Sequence, residues 1–349
     1  MSDRAIHYVA LGQLDAAAST FERGLRGLER VLGRDHSSTL DMVNNLGLVY
    51  VGLQRPRDAH IMLYRALHGY ERVWGPKHTS TLGTINNLGL LYESIGEHES
   101  ARQMFQQALE GYQESLGYDH ESVSDAAHNL SLVEMSLGRF DEAEDHLRRA
   151  LHVKKMVLRP NSTSTLNTAN DLALLLLDTG RARDAVILLQ TALDGKEKVL
   201  GPNHISTLGT ANNLGLVYTS LGMLDKAEAL HLRAINRCID TLGADNMLKC
   251  TEALAIVWGF ASFCAASGQT DDARKYYQQV LEGYESILGK DRRRLQALLF
   301  DIAALEADSV SPMPQRPPIW RRQFLQKVLR RKNLVIRRMK KGKGYIRLG

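Results

Sequence analysis

Residues 75–117 read GPKHTSTLGTINNLGLLYESIGEHESARQMFQQALEGYQESLG, and the chain before its tail is a set of variations on them. The closing glycine falls at Gly33, Gly75, Gly117, Gly201 and Gly243, with Arg159 in the slot of a sixth, so each step is 42 residues. Within each step NNLGLVY at 44–50 returns as NNLGLLY at 86–92, HNLSLVE at 128–134, NDLALLL at 170–176 and NNLGLVY at 212–218. A small turn residue follows at Gly96, Gly138, Gly180 and Gly222, with Gln54 as the exception, and then an alanine at Ala17, Ala59, Ala101, Ala143, Ala185 and Ala227. A fixed period of this length marks a repeat architecture.

Each unit reads as two antiparallel helices. Leu82, Ile85, Leu88, Leu91 and Tyr92 recur three to four residues apart on one face of the first, which Thr81 or Ser80 is expected to cap. The second buries Ala101, Met104, Phe105, Ala108, Leu109 and Tyr112 before Gly117 stops it. Gly89 and Ala101 are small, which lets the two helices close together. One hairpin cannot cover its own apolar face, so the hairpins must stack into an all-α solenoid.

In their order and size Leu88, Gly89, Tyr92, Gly96, Ala101, Phe105 and Ala108 resemble the tetratricopeptide repeat. The 42-residue step is longer than the usual ~34 and is similar to the longer-helixed variety of kinesin light chains. The H-x-S-T-L opening and LEGYE-x-x-LG closing resemble the repeat arrays of fungal nucleotide-binding, immune-receptor-like (NLR/STAND) proteins. The resemblance spans about residues 5–290. It implies a right-handed superhelix of about six hairpins whose first helices line a concave groove.

Composition sharpens this picture. Of 44 Lys and Arg, thirteen lie from Arg316 onward with no acid among them, so the first 315 residues carry 31 bases against 39 acids, a net of −8. An acidic array is thus followed by a basic tail. Cys238, Cys250 and Cys264 are odd in number and lack CxxC spacing, which argues for a reducing compartment and against disulfides or zinc. Residues 1–12 hold no signal-peptide core, and no apolar run approaches the ~18 residues of a membrane span. The expected setting is soluble and cytoplasmic, or nuclear.

Taken in order, residues 1–12 match only the end of a first helix, since Tyr8 falls 42 before Tyr50, so the array is expected to begin in mid-repeat as part of a cut larger protein or a gene fragment. Helix pairs are expected at 38–73, 80–115, 122–157, 164–199 and 206–241. The next turn glycine, Gly268, lies 46 beyond Gly222, so four residues have entered around MLKCTEALAIVWGF at 247–260. A lengthened, more apolar helix there would seal the core, or would offer Trp258 as a docking surface. Residues 290–307 read as a final helix whose Arg292 to Arg294 cover the open end, completing an array at 1–307. A linker at 308–318 with four prolines precedes the tail at 319–349.

Three sets of residues are candidate sites. The first is a ladder: Asn45, Asn87, Asn129, Asp171 and Asn213, with Leu48, Leu90, Leu132, Leu174 and Leu216 three residues after each. The family resemblance places asparagines at this position against the backbone of an extended peptide, and a carboxamide carries both a donor and an acceptor for that purpose. The alternative is that the amides bond a neighbouring helix and set the repeat spacing. No Lys or Arg stands on these rungs, so a hydrophobic or mixed peptide suits them better than an acidic one.

The second set is His36, His78, His120 and His204, one per loop; a step of ~20 Å between repeats rules out a shared metal and leaves a hydrogen bond that shapes the loop. The third is the basic amphipathic tail, with Arg321, Arg322, Lys327, Arg330, Arg331, Lys332, Arg337, Arg338, Lys340 and Lys341. It could dock on its own array, bind nucleic acid or an anionic membrane, or direct nuclear import. No nucleophile elbow, phosphate loop or HExxH is present. The reading is a non-enzymatic scaffold without cofactor or small-molecule substrate that binds a protein or extended peptide. The alternatives are a ligand-sensing segment of a fungal immune-type receptor and a nucleic-acid or membrane adaptor acting through the tail.

Overall fold

Apolar residues three and four apart dictate helices, and the chain is helical between its glycines. The computed structural model describes residues 2–288 together with 295, 298, 299, 301–303 and 305; Arg292 to Arg294, the linker at 308–318 and the tail at 319–349 lie outside the described residues. Among the described residues there is no strand. The helices are α1 (Ser2–Ala10), α2 (Leu14–Leu32), α3 (Ser37–Gly52), α4 (Pro56–Trp74), α5 (Thr79–Ile95), α6 (His98–Leu116), α7 (Glu121–Ser136) and α8 (Phe140–Val157). They continue as α9 (Thr163–Asp178), α10 (Ala182–Leu200), α11 (Ile205–Ser220), α12 (Leu224–Leu242), α13 (Ala244–Met247), α14 (Thr251–Ala266) and α15 (Thr270–Leu288).

The helices end where the repeated glycines allow a positive φ, as at Gly75 (84°) and Gly117 (81°). The two slots that lack glycine keep this backbone: Gln54 has φ 57° and Arg159 φ 80°. Each side chain there carries a left-handed strain of roughly 1 kcal/mol. The repeat thus imposes the turn even where the residue disfavours it.

The helix starts correct one expectation. Neither Thr81 nor Ser80 caps α5; His78 does, its Nδ1 accepting from the Ser80 backbone N–H at 3.2 Å. His36, His120 and His204 cap α3, α7 and α11 in the same way, on Ser38, Ser122 and Ser206. Thr81 instead donates its hydroxyl to the Gly75 carbonyl at 2.8 Å, as Thr39 does to Gly33, and so staples the loop. The loop-shaping hydrogen bond expected of the histidines is the one observed.

The chain divides into two units, one of residues up to Val153 and one beginning at Lys154. In the first, α3 pairs with α4 and α5 with α6, and α4 then packs on α5 and α6 on α7. The hairpins close on small residues: a Cβ on Gly89 would stand 2.6 Å from the Phe105 ring. Phe21, Leu63, Phe105, Ala59, Ala101 and Leu88 form one core with no more than 1 % exposure each.

In the second unit α9 pairs with α10, α11 with α12 and α14 with α15. The inserted residues do not lengthen the apolar helix: α14 has 16 residues like α11, and the extra chain forms the separate turn α13. α14 is nevertheless the apolar seal expected, buried from Ala253 to Ala261. Trp258 is no docking surface, being 0 % exposed with its Nε1 donating to Asp301 Oδ2 at 2.7 Å. Leu295, Leu298 and Leu305 are buried in the same cluster.

Candidate functional site

The ladder residues stand on the first helix of each hairpin, and successive first helices lie side by side, α3 along α5 and α9 along α11. A 42-residue step brings each asparagine to the same face. Three of them, however, spend their amide donors on the scaffold. Asn87 donates Nδ2 to Asn44 Oδ1 at 2.9 Å and Asn129 to Asn86 Oδ1 at 3.0 Å; in the second unit Asn213 donates to Asn170 Oδ1 at 3.0 Å. Each of these three asparagines therefore reaches back to the residue one before its own equivalent. Asn44 also accepts from the Thr84 hydroxyl at 3.2 Å, so its carbonyl gathers two donors from α5.

Burial follows the same logic. Asn87 is 3 % and Asn129 9 % exposed, whereas Asn45 and Asn213 are half-buried. Asn87 Oδ1 accepts nothing among the described residues. Asp171 is half-buried beside Asn170. Leu48, Leu90, Leu132 and Leu174 are buried, and only Leu216 of the five expected leucines is partly exposed. Of the two roles open to the ladder, the seam role is observed for the amide donors of Asn87, Asn129 and Asn213.

Sequence reasoning missed Asn44, Asn86 and Asn170 as the ladder's partners. It also missed the chemistry one turn earlier on the same face, where Asp41 and Asp125 precede Asn45 and Asn129 by four residues. Asp41 accepts from the Tyr70 hydroxyl at 2.6 Å, and the loss of water around its carboxyl raises it above the usual carboxylate range despite that bond, although the residue keeps exposed surface. A four-residue step back from each rung would have found both aspartates.

The last rung departs from the rest. Gly259 stands where a further asparagine would, its missing Cβ leaving room for the Asn212 amide. Asn212 turns instead to His231, which it meets at 2.9 Å. His231 occupies the slot that holds Leu63, Phe105 and Leu189 elsewhere; it is fully buried, 5.6 Å from the Phe263 ring centroid. Burial lowers its pKa to about 4, so the imidazole is neutral at physiological pH.

Other reactive groups are packing groups. Burial pushes the Cys238 thiol up to about 12 and Cys264 up to about 11, so neither offers a thiolate near neutrality. Lys154 and Lys196 are buried and donate to Thr168 and Thr210 hydroxyls in the helix seams. Among the described residues no group of His, Cys, Asp or Glu is placed to hold a metal ion. No helix among them is long and apolar enough to cross a membrane. The predicted tail residues, Arg321 to Lys341, lie outside the described residues.

Comparison with known proteins agrees with this geometry. A family model described as tetratricopeptide repeat matches residues 1–72, 62–114, 80–156 and 164–240, and a second of the same description matches 263–293. A search of the curated proteins gave no match. Among solved structures the chain is similar to BtubC (BKLC) from P. vanneervenii, with TM-score 0.56 and 22 % identity over 65 % of this chain and 91 % of that one. It is similar to a putative kinesin light chain with nearly identical TPR-like repeats from Podosopora anserina, at TM-score 0.53 and 22 % identity over 58 % and 96 % of the two chains. The apo form of RapI gives TM-score 0.62 at 15 % identity, over 81 % and 96 %. At these identities the likeness is one of fold.

Proposed function

The chain belongs to the tetratricopeptide repeat family, and we propose that it is a non-enzymatic interaction scaffold that holds an extended protein segment along the face of its first helices. Repeats of this family generally mediate contacts between proteins, and the observation that carries the reading here is the ladder. Asn45, Asn87 and Asn129 recur at one position of the first helices in the first unit, and Asp171 and Asn213 do so in the second. The amide nitrogens of Asn87, Asn129 and Asn213 are spent on the seams, so the Asn87 oxygen and the unbonded Asn45 amide are the groups that the first unit offers to the backbone of an extended chain. Leu216, the one of the five leucines with exposed surface, supplies an apolar flank, and Leu48, Leu90, Leu132 and Leu174 are buried beneath the face.

The test uses positions outside the seams. Asn45 makes no hydrogen bond among the described residues, and Leu216 has surface of its own, so N45L/L216D alters the face without breaking a rung. I61E/I187E alters the exposed second-helix positions Ile61 and Ile187. Affinity capture with mass spectrometry should recover a partner with the wild type and I61E/I187E and lose it with N45L/L216D. A partner lost only with I61E/I187E would place binding on the opposite face and refute the reading.

A further inference from the structure

Two faces of α2 carry opposite charge. Glu22 and Glu29, seven residues apart, turn to the following hairpin: Glu22 accepts from the Tyr50 hydroxyl at 2.7 Å, and Glu29 meets Arg65 at 2.5 Å. Arg23, Arg30 and Arg34 fall on a second face about 100° round the helix, with Arg26 beside them. All four arginines are exposed, and none has an ion pair or hydrogen bond among the described residues. A helix C-terminus favours cations only within its last turn, which covers Arg30 but not Arg23 and Arg26 in the middle of α2.

The repeat itself indicates what these side chains bind. Arg65 stands 42 residues after Arg23, and Arg72 stands 42 after Arg30. Arg65 reaches back to Glu29 of the second helix before it, and Arg72 reaches back to Asp35, in the loop that follows that helix, at 2.8 Å. The pairing recurs in the second unit, where Arg233, four 42-residue steps after Arg65, meets Glu197 of the helix before it at 3.1 Å. Arg23 and Arg30 thus carry the groups with which a second helix grips an acidic neighbour, on a side where no described residue supplies one. Beside them α1 is polar where later first helices are apolar: Arg4 and His7 are exposed at the positions that bury Leu46 and Leu88, and Val49 and Leu91. Here the edge offers charge in place of apolar area.

We propose that this edge of the first unit, separate from the first-helix face, docks an acidic helix of a partner protein alongside α2. The partner's carboxylates repeat the placing of Glu29 and Asp35, six residues apart around a helix end, and are held by Arg23 and Arg30, with Arg26 and Arg34 flanking. A guanidinium fork suits the contact, since it meets a carboxylate with two N–H groups at once. Because all four cations are exposed, salt weakens it.

The experiment keeps the full chain and replaces the Lys and Arg of residues 319–349 by glutamine, so that the probe meets no other basic run. The probe is a fluorescein-labelled peptide of residues 14–36 carrying R23Q, R26Q, R30Q and R34Q, which keeps Glu29 and Asp35 and has no Lys or Arg. Anisotropy at ~20 mM salt, where screening sets in only beyond ~20 Å, should show binding that R23Q/R30Q in the chain weakens at least about tenfold. R57Q/R183Q removes the same charge from exposed arginines elsewhere and should change the affinity by no more than about twofold. E29Q/D35N in the peptide should abolish binding. No binding, an equal loss with R57Q/R183Q, or indifference to E29Q/D35N overturns the proposal. An oligothymidylate that binds more tightly than the peptide with the same arginine dependence would assign the edge to nucleic acid and overturn it too. Self-association of the chain that R23Q/R30Q abolishes would do the same in favour of a second copy.

Discussion

Asn87 donates its amide to Asn44 at 2.9 Å across the seam between α3 and α5, and the residues are 43 apart in a chain whose period is 42. That offset of one makes the repeat cohesive: Asn87, Asn129 and Asn213 each hold the first asparagine of the hairpin before. The consequence for stability is specific. N44L strands the buried Asn87 amide and is expected to cost about 1–3 kcal/mol, whereas N44L/N87L removes both polar groups and should cost less than the sum of the single changes. Urea unfolding of the four proteins of this cycle measures the coupling.

The histidine caps carry their own natural comparison. Ser162 stands where the other repeats have histidine, and its hydroxyl caps α9 by accepting from the Thr165 N–H at 3.1 Å. H78S should therefore be close to neutral, while H78A should lose about 1 kcal/mol. Thermal unfolding followed by circular dichroism separates the two.

His231 gives the protein an acid limb. Its folded pKa, about 4, lies below the 6.5 of the free side chain, so the unfolded chain binds the proton first. The stabilising effect of the neutral ring is complete above pH 6.5 and is lost as pH falls from 6.5 to about 4, by an amount on the order of 3 kcal/mol. H231L/N212L replaces the pair with apolar groups and should flatten this part of the stability–pH profile. An unchanged profile would place the titration elsewhere.

Trp258 and Asp301 tie the final helical segment to α14 through a bond whose groups are both at most 3 % exposed. D301A should cost about 1.5–3 kcal/mol, the range for a hydrogen bond to a charged group. In a W74F/W320F background Trp258 is the only tryptophan, and its emission should shift to the red as water enters.

The sequence disclosed the hairpins, their turn glycines and the small-to-large contacts, because these recur at the same offset in every repeat. Even the exceptions at Gln54 and Arg159 were visible as gaps in a pattern, and the backbone there follows the pattern. The Asn87–Asn44 bond was harder to see because aligning repeats sets Asn87 over Asn45, whereas the contact joins it to the residue before. The cap at His78 was hidden for another reason: histidine is outside the usual capping set, and Thr81 and Ser80 beside it are not. The extra residues before α14 suggest added helix because nothing in MLKC announces a break, yet Cys250 opens α14 from an extended backbone and leaves α13 separate. The donor half of the ladder could be assigned only once the seams were seen.

The claim on which function depends is that a partner lies on the face of the first helices. Methyl-labelled leucine spectra, recorded while the segment mapped from the captured partner is titrated in, test it directly. The account predicts shifts at Leu48, Leu90, Leu132, Leu174 and Leu216, with Leu32, Leu224 and Leu232, the exposed leucines of second helices, left in place. Movement confined to Leu32, Leu224 and Leu232 would contradict it.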